Sequence, residues 1–567
     1  MAHEKRWNPW LLLAVGALLM LYFGGLGAIP YFEPDEGRYT EIPREMLARR
    51  DFILPHLNGV LYFEKPPLYY WLNALSISVF GVGEFASRFW SALLGLLGLV
   101  PTFYLGARAG GRRAGWLSAI ILGTSPLYLA LAHLTIIDMT LTFFFTSTLA
   151  CFYLACETPQ DRTPRWLWYG VFAGAACTVL AKGLIGVVLP GGIMFLYLLA
   201  GRGWSALRRV PWVSGSALFL LLAVPWHVLA ALRNPDFLWF YFVREHFLRY
   251  LTTVHSRTEP WWFFIPVVLW ALLPWTALLP ASLWSLLAPS ALKEKLFKVP
   301  SPAMFLWVWA GVVVVFFSLS HSKLIPYILP ALPPLAVLAA LQLDALLERL
   351  GPEPRAIRPL FLSGLLLMAI FGFAFIWAGL GRVKAFAPAA GYSTPVVVAG
   401  ASCLALALAA AVLCAVGSWR RAVPVLALCA AVSFGCIWSA GPVIASGRSV
   451  EGFARYITDH AAKDDPVFSF GFYPQALPVY LGRPIGVAAF QGELEFGISR
   501  LTPQERLARF PKAEEFASLW NSPARVWCVV DRDSLRKMDE AGLTKPVILM
   551  EAPVVLLTTN HPLSPAS

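Results

Sequence analysis

Charge is what this sequence has least of. Asp, Glu, Lys and Arg make up 14% of its 567 residues, against roughly a quarter in soluble globular proteins. With 58% hydrophobic residues and a mean hydropathy of +0.64, that scarcity excludes a soluble enzyme, a disordered scaffold and a nucleic-acid-binding domain together. Cysteine is sparse too. The eight residues form no CxxC pair and no zinc-ligand spacing, and all but Cys528 lie in apolar runs, where Cys acts as a small hydrophobe. No disulfide framework is implied. There is no glycine-rich phosphate loop and no internal repeat. No small-residue cleavage site follows the first apolar run, Pro9 to Ile29, so it reads as a retained transmembrane helix.

What the chain has instead is length in apolar runs. Twelve more follow, at about 86–107, 114–131, 136–156, 166–181, 184–200, 211–232, 261–287, 303–319, 324–346, 360–380, 394–416 and 422–444. Each approaches the roughly 20 residues that span a bilayer. The fold class expected is a polytopic α-helical membrane protein of about 13 transmembrane helices. Lys and Arg gather in alternate loops (Arg108, Arg112, Arg113; Arg162, Arg165; Arg202, Arg208, Arg209; Lys293, Lys295, Lys298) and thin out in the others. By the positive-inside rule this puts the N-terminus in the cytoplasm and the C-terminal segment in the periplasm of a bacterial inner membrane. The net charge of +12 carries this signal and also attracts anionic head groups.

The expected domains are 1–445, transmembrane with two long outer loops (30–85 and 233–260), and 446–567, a soluble α/β domain. In the latter, β-like runs at Val467–Phe472, Ile485–Ala489, Val526–Val530 and Val554–Thr558 alternate with helical stretches at 449–463 and 503–520.

Three stretches carry candidate chemistry. Directly after the first helix come Glu33, Asp35 and Glu36 in "YFEPDEGR". Carboxylates crowded at a membrane surface mark a site or pathway, or else a solvated helix-ending loop. Asp138, near the outer end of the fourth helix, is either a second functional acid or a helix cap. In "LYFEKPPLYYW", Pro66 and Pro67 suit the first turn of an interfacial helix. Lys65 stands where an ammonium and a helix N-terminus hold a phosphate, or snorkels to the interface.

Together these stretches resemble the polyprenyl-phosphate-sugar glycosyltransferases of the GT-C fold. "YFEPDEGRYTEIPREML" followed by "YFEKPPLYYW" most resembles the lipid A aminoarabinose transferase family. The resemblance covers the chain in layout, with specific motifs over about 31–140 and around "SHSKLIPYILPALPPLA". It implies a 4-amino-4-deoxy-L-arabinose donor on undecaprenyl phosphate, a lipid A phosphate acceptor, and resistance to polymyxin and other cationic peptides. Asp35 and Asp138 are then the catalytic carboxylates. Lys65, Arg249, Tyr62, Tyr327, Glu36 and His321 are the substrate-binding candidates. No cofactor is required by this reading. A divalent metal, with Glu64 and His246 as candidate ligands, stays open. Another polyprenyl-phosphate-sugar transferase and a lipid-linked sugar transporter are the alternatives. The partners expected are the donor lipid, lipid A and the membrane, with no nucleic acid, and the chain is read as a monomer.

Overall fold

The computed structural model describes residues 9–159, 162–202, 204–248, 259–287, 302–349, 358–380, 393–416, 418–439, 441–446 and 449–562. The helices run α1 (Pro9–Phe23), α2 (Asp35–Arg49), α3 (Leu68–Phe80), α4 (Glu84–Gly123), α5 (Pro126–Ala132), α6 (Ile137–Glu157), α7 (Arg165–Lys182), α8 (Ile185–Tyr197) and α9 (Trp212–Arg233). Later long helices cover Pro302–Leu319, Leu332–Arg349, Arg358–Gly379, Ser393–Ala415 and Trp419–Ser439. The chain divides into two compact units. One comprises Met1–Gly25, Arg88–Lys384 and Ser393–Ser439; the other comprises Leu26–Ser87, Ala385–Tyr392 and Ala440–Ser567. This differs from a division at residue 445. The first outer loop belongs with the C-terminal segment, because its polar groups find their partners there.

The first unit is helical. Among the described residues, seven helices are long and apolar enough to cross a membrane, or eight if the pair Phe264–Ala271 and Trp275–Trp284, bent by 106°, is one span. α4 is broken at Gly111, whose φ of 87° takes it out of helical geometry, between the runs at 86–107 and 114–131, and the second run is itself divided where Pro126 starts α5 afresh. α6 is among the more enclosed helices, with 72% of its apolar window buried against 83% for the span Ile325–Glu348 and 22% for α9. α7 packs on it through glycines. A Cβ on Gly174 would come within 2.3 Å of Thr148 Oγ1, and one on Gly170 within 2.7 Å of Cys151 Sγ. Small residues of this kind let helix backbones approach where no hydrophobic effect drives them together.

The second unit is built on a five-stranded mixed sheet. Two short strands, β1 (His56–Leu57) and β2 (Val60–Leu61), form a hairpin in the first loop. The sheet itself comprises β3 (Val467–Phe470), β4 (Gly486–Ala488), β5 (Trp527–Asp531), β6 (Val547–Glu551) and β7 (Val555–Thr559), in the order β4-β3-β5-β7-β6. β3 is parallel to β4 and β5, and β7 is antiparallel to β5 and β6. Four of these strands lie in the expected runs. β6, which follows Pro546 as an edge strand, does not. The helical stretch at 503–520 is two helices, Pro503–Arg509 and Ala513–Trp520, interrupted around Pro511. Thr502 and Glu505 form a capping box at the start of the first. Phe468, Phe470, Phe516, Trp520 and Val530 fill the core beneath the sheet.

Asn58 is a main tie between the hairpin and this domain, beside the Arg509 guanidinium, which donates to the Asn58 carbonyl. Asn58 Nδ2 donates to the Ile485 carbonyl at 2.9 Å, and Asn58 Oδ1 accepts from the Ile485 N–H at 2.9 Å. Asn58 is fully buried with a φ of 51°, a left-handed conformation that Asn tolerates better than most residues. Asn58→Ala is expected to destabilise this unit by about 2–4 kcal/mol, since it leaves two buried backbone groups unpaired. Thermal unfolding checks this. Asn58→Gly restores the backbone freedom without the hydrogen bonds, so an equal loss in both variants assigns the effect to the bonds.

Candidate functional site

The three acids after α1 have separate surroundings. Glu33 accepts backbone N–H groups of Gln475 at 3.0 Å and Ala476 at 2.8 Å. Glu36 is buried and accepts the Phe32 N–H at 2.9 Å, within its own turn. Asp35, at the first position of α2, has a side chain 53% exposed and pairs with Arg38 at 2.9 Å. Glu33 and Glu36 thus hold the backbone, which leaves Asp35 as the acid presented to solvent.

Arg38 organises this cluster. Its Nε donates to Gln475 Oε1 at 2.9 Å and its Nη1 to the Tyr62 hydroxyl at 3.4 Å. Gln475 in turn donates to Glu493. Asp35 and Glu64 both act on the Arg38 charge. Lys65 is half-buried, and its ammonium donates to the Glu64 carbonyl at 3.0 Å. It lies three residues before Leu68, where α3 begins with Pro67 as its cap. The sequence points to Asp35, Tyr62, Glu64 and Lys65 but not to Arg38, Gln475 or Glu493. The i,i+3 spacing of Asp35 and Arg38 is a usable signal. Gln475 and Glu493 carry none.

Burial pushes the Glu33 carboxyl up to about 8, although its two backbone donors favour the anion. A carboxyl with a folded pKa above its ordinary value of 4.5 binds the extra proton in the folded state. Its contribution to stability is complete below that value and is lost as pH rises toward 8. The melting temperature is expected to fall between pH 5 and 8 less steeply in Glu33→Gln than in the parent. Parallel slopes would assign the pH dependence to other groups.

In the helical unit, Asp138 stands in the first turn of α6 and forms an ion pair with Lys182, the last residue of α7. Both side chains are about 15% exposed. The Lys182 ammonium also lies 4.9 Å from the centroid of the Tyr327 ring. Asp138 and Tyr327 are therefore joined through Lys182, which in the sequence separates the apolar runs at 166–181 and 184–200. One and two turns further along α6, Thr142 and Thr146 bury hydroxyls that have no hydrogen-bond partner among the described residues. Asp138, Thr142 and Thr146 repeat at i, i+4 and i+8, which makes one polar stripe on an apolar helix. Lys323 is buried and donates to the carbonyls of Ser320 at 2.6 Å and Glu259 at 2.9 Å, so it ties its turn together. His321, two residues earlier, is exposed.

Arg249 and the side chain of His246 lie outside the described residues. Among the described residues, no three His, Cys, Asp or Glu side chains come together as metal ligands.

Residues 10–242 match the dolichyl-phosphate-mannose-protein mannosyltransferase family, and residues 453–559 match the aminoarabinose transferase C-terminal domain. Among curated relatives, the undecaprenyl phosphate-alpha-4-amino-4-deoxy-L-arabinose arabinosyl transferase of Shewanella sediminis is 31% identical over 325 residues, 57% of either chain. A second such transferase, from Pseudomonas fluorescens, is 32% identical over 386 residues, 67% of this chain and 63% of its own. The chain thus aligns with about three-fifths of the length of these relatives. The crystal structure of ArnT from Cupriavidus metallidurans bound to undecaprenyl phosphate matches with a TM-score of 0.84 and 28% identity, over 98% of both chains.

Proposed function

The chain belongs to the aminoarabinose transferase family of GT-C-type membrane glycosyltransferases, and on that premise we propose that it moves 4-amino-4-deoxy-L-arabinose from undecaprenyl phosphate to a phosphate of lipid A. The observation that carries the reading is the likeness, along 98% of both chains, to a transferase crystallised with undecaprenyl phosphate. The chain is a multi-span membrane protein. Its N-terminus is assigned to the cytoplasm and its C-terminal domain to the periplasm, from the Lys and Arg asymmetry of the loops.

The reaction is a displacement. A lipid A phosphate oxygen attacks the anomeric carbon, the bond from that carbon to the undecaprenyl phosphate oxygen breaks, and undecaprenyl phosphate leaves. A phosphate monoester has a second pKa near 6, so the acceptor is already ionised at neutral pH and needs no general base. The carboxylates are then free for electrostatic work. Asp138, held in place by Lys182, stabilises positive charge growing at the anomeric carbon. Asp35, exposed beside Arg38, orients the acceptor or the cationic 4-amino group. Lys65, with Arg249 second, neutralises the leaving phosphate. The transferred sugar brings an ammonium to an anionic phosphate, so lipid A loses net negative charge and binds cationic peptides such as polymyxin less tightly.

The test uses purified full-length protein, undecaprenyl-phosphate aminoarabinose and lipid A, with the product identified by mass. Lipid A carrying one additional aminopentose is the result expected. Transfer only from a different lipid-linked sugar, or only to a hydroxyl acceptor, would replace this reading with another member of the superfamily. Accumulation of donor across the bilayer without transfer would replace it with a transporter.

A further inference from the structure

We propose that the arginines at the far end of α6 form a binding site for the head group of an anionic phospholipid, distinct from the transfer site and independent of its chemistry. α6 has 21 residues, so it is about 32 Å long at a rise of 1.5 Å per residue, close to the roughly 30 Å of a hydrocarbon core. Asp138 marks one end of this span, and the other end lies at the opposite face of the bilayer. There Arg108, from α4, donates to the Glu157 carbonyl at 2.6 Å, and Arg209, just before α9, donates to the Thr158 carbonyl at 3.3 Å. The two guanidiniums thus converge on the last carbonyls of α6, where the helix end itself favours cations.

Three further arginines join them. Arg208 is exposed and has no partner among the described residues, and Arg162 and Arg165 flank the loop into α7. A hydrogen bond of 2.9 Å between the Tyr169 hydroxyl and Ser214 Oγ brings the start of α7 to the start of α9, which puts these residues at one end of the unit. In the two connecting loops, Arg162, Arg165, Arg208 and Arg209 outnumber Glu157 and Asp161. Trp204 and Trp212 beside them are each 52% exposed. Exposed indoles belong at the head-group level, so the cations stand at the depth of lipid phosphates and not out in the aqueous phase. Basic pockets between transmembrane helices at this depth bind anionic head groups. An arginine fork holds a phosphodiester with two parallel hydrogen bonds.

The experiment is native mass spectrometry of the full-length protein, titrated separately with diphosphatidylglycerol and phosphatidylethanolamine. Each basic residue near such a surface contributes about fivefold in affinity. Arg208→Gln is therefore expected to lower diphosphatidylglycerol retention about 5-fold, and Arg208→Gln with Arg209→Gln about 30-fold. Phosphatidylethanolamine retention should stay unchanged in both. Arg532→Gln, in the C-terminal domain, removes one charge elsewhere and should leave diphosphatidylglycerol retention intact. Retention within twofold of the parent in the double variant would overturn the proposal, and so would equal losses for both lipids. If inorganic phosphate alone displaces the lipid fully, the cluster is a general anion site and the lipid assignment is wrong. Arg208 is exposed and makes no hydrogen bond or ion pair with a described residue, so its single variant keeps the test valid if the double variant misfolds.

Discussion

Asp138→Asn is expected to lower turnover about 100- to 1000-fold, the cost of removing one preorganised charge from a reaction centre, while donor-lipid affinity moves only a few-fold. Affinity for the donor comes from its prenyl tail and phosphate. Asp138 acts on charge that exists only in the transition state, so its loss falls on turnover and not on binding. Asn keeps the shape and removes the charge. The partner makes the prediction sharper. Lys182 is bound to Asp138 and is largely enclosed with it, so Lys182→Gln releases the carboxylate from its position and should also lower turnover. If the pair works as one unit, the double variant loses little more than Asp138→Asn alone; independent roles would multiply the two losses. Single-turnover rates and donor affinity for the three variants decide this. Turnover within a few-fold of the parent in Asp138→Asn would leave the ion pair as a helix-end brace.

Lys65→Ala is expected to cost about 2–4 kcal/mol in the transition state, or roughly 30- to 1000-fold in rate, at normal expression. The leaving group is a phosphate, and its charge rises as the sugar departs. Lys65→Arg should rescue only in part, because a planar guanidinium does not occupy the place of a compact ammonium. The present hydrogen bond from Lys65 to the Glu64 carbonyl is one a lysine exchanges readily, since the ammonium has three donors. Near-normal turnover in Lys65→Ala would make Lys65 an interface anchor and pass the phosphate role to Arg249.

Local signals in the sequence are legible where a single element carries them. The runs at 136–156, 166–181 and 211–232 correspond to α6, α7 and α9 within a residue or two, because an apolar run long enough to span is nearly the whole specification of a membrane helix. The acids after α1 and the Lys-Pro-Pro stretch can be picked out as local motifs because each lies within one short segment. What escapes is anything set by tertiary contact. The Asp138 partner is 44 residues away. Gln475, which receives Arg38, is 437 residues away. Thr142 and Thr146 look like ordinary helix residues until their hydroxyls are seen to be buried. The division of the chain escapes as well, because nothing in residues 26–87 announces that their hydrogen-bond partners lie in the last quarter of the chain. β6 is missed because it follows a proline and runs along a sheet edge with none of its five residues fully buried and two exposed, so it lacks the alternation of a core strand.

The hydrogen bonds from Gln475 and Ala476 to Glu33 join groups 442 and 443 residues apart. On a ribosome adding about 5–20 residues per second, that interval is roughly 20–90 s. Throughout it, the first loop exists without the segment that covers Glu33, receives Arg38 and satisfies Asn58. The helices of the other unit emerge and pack in the meantime. The loop carrying the candidate acid and lysine is thus one of the first parts synthesised and one of the last to reach its final form. Ribosomes that stop short of the C-terminal sheet would release a membrane protein with most of its helices in place and this loop unfinished. Quality control that senses uncovered polar backbone would find it there.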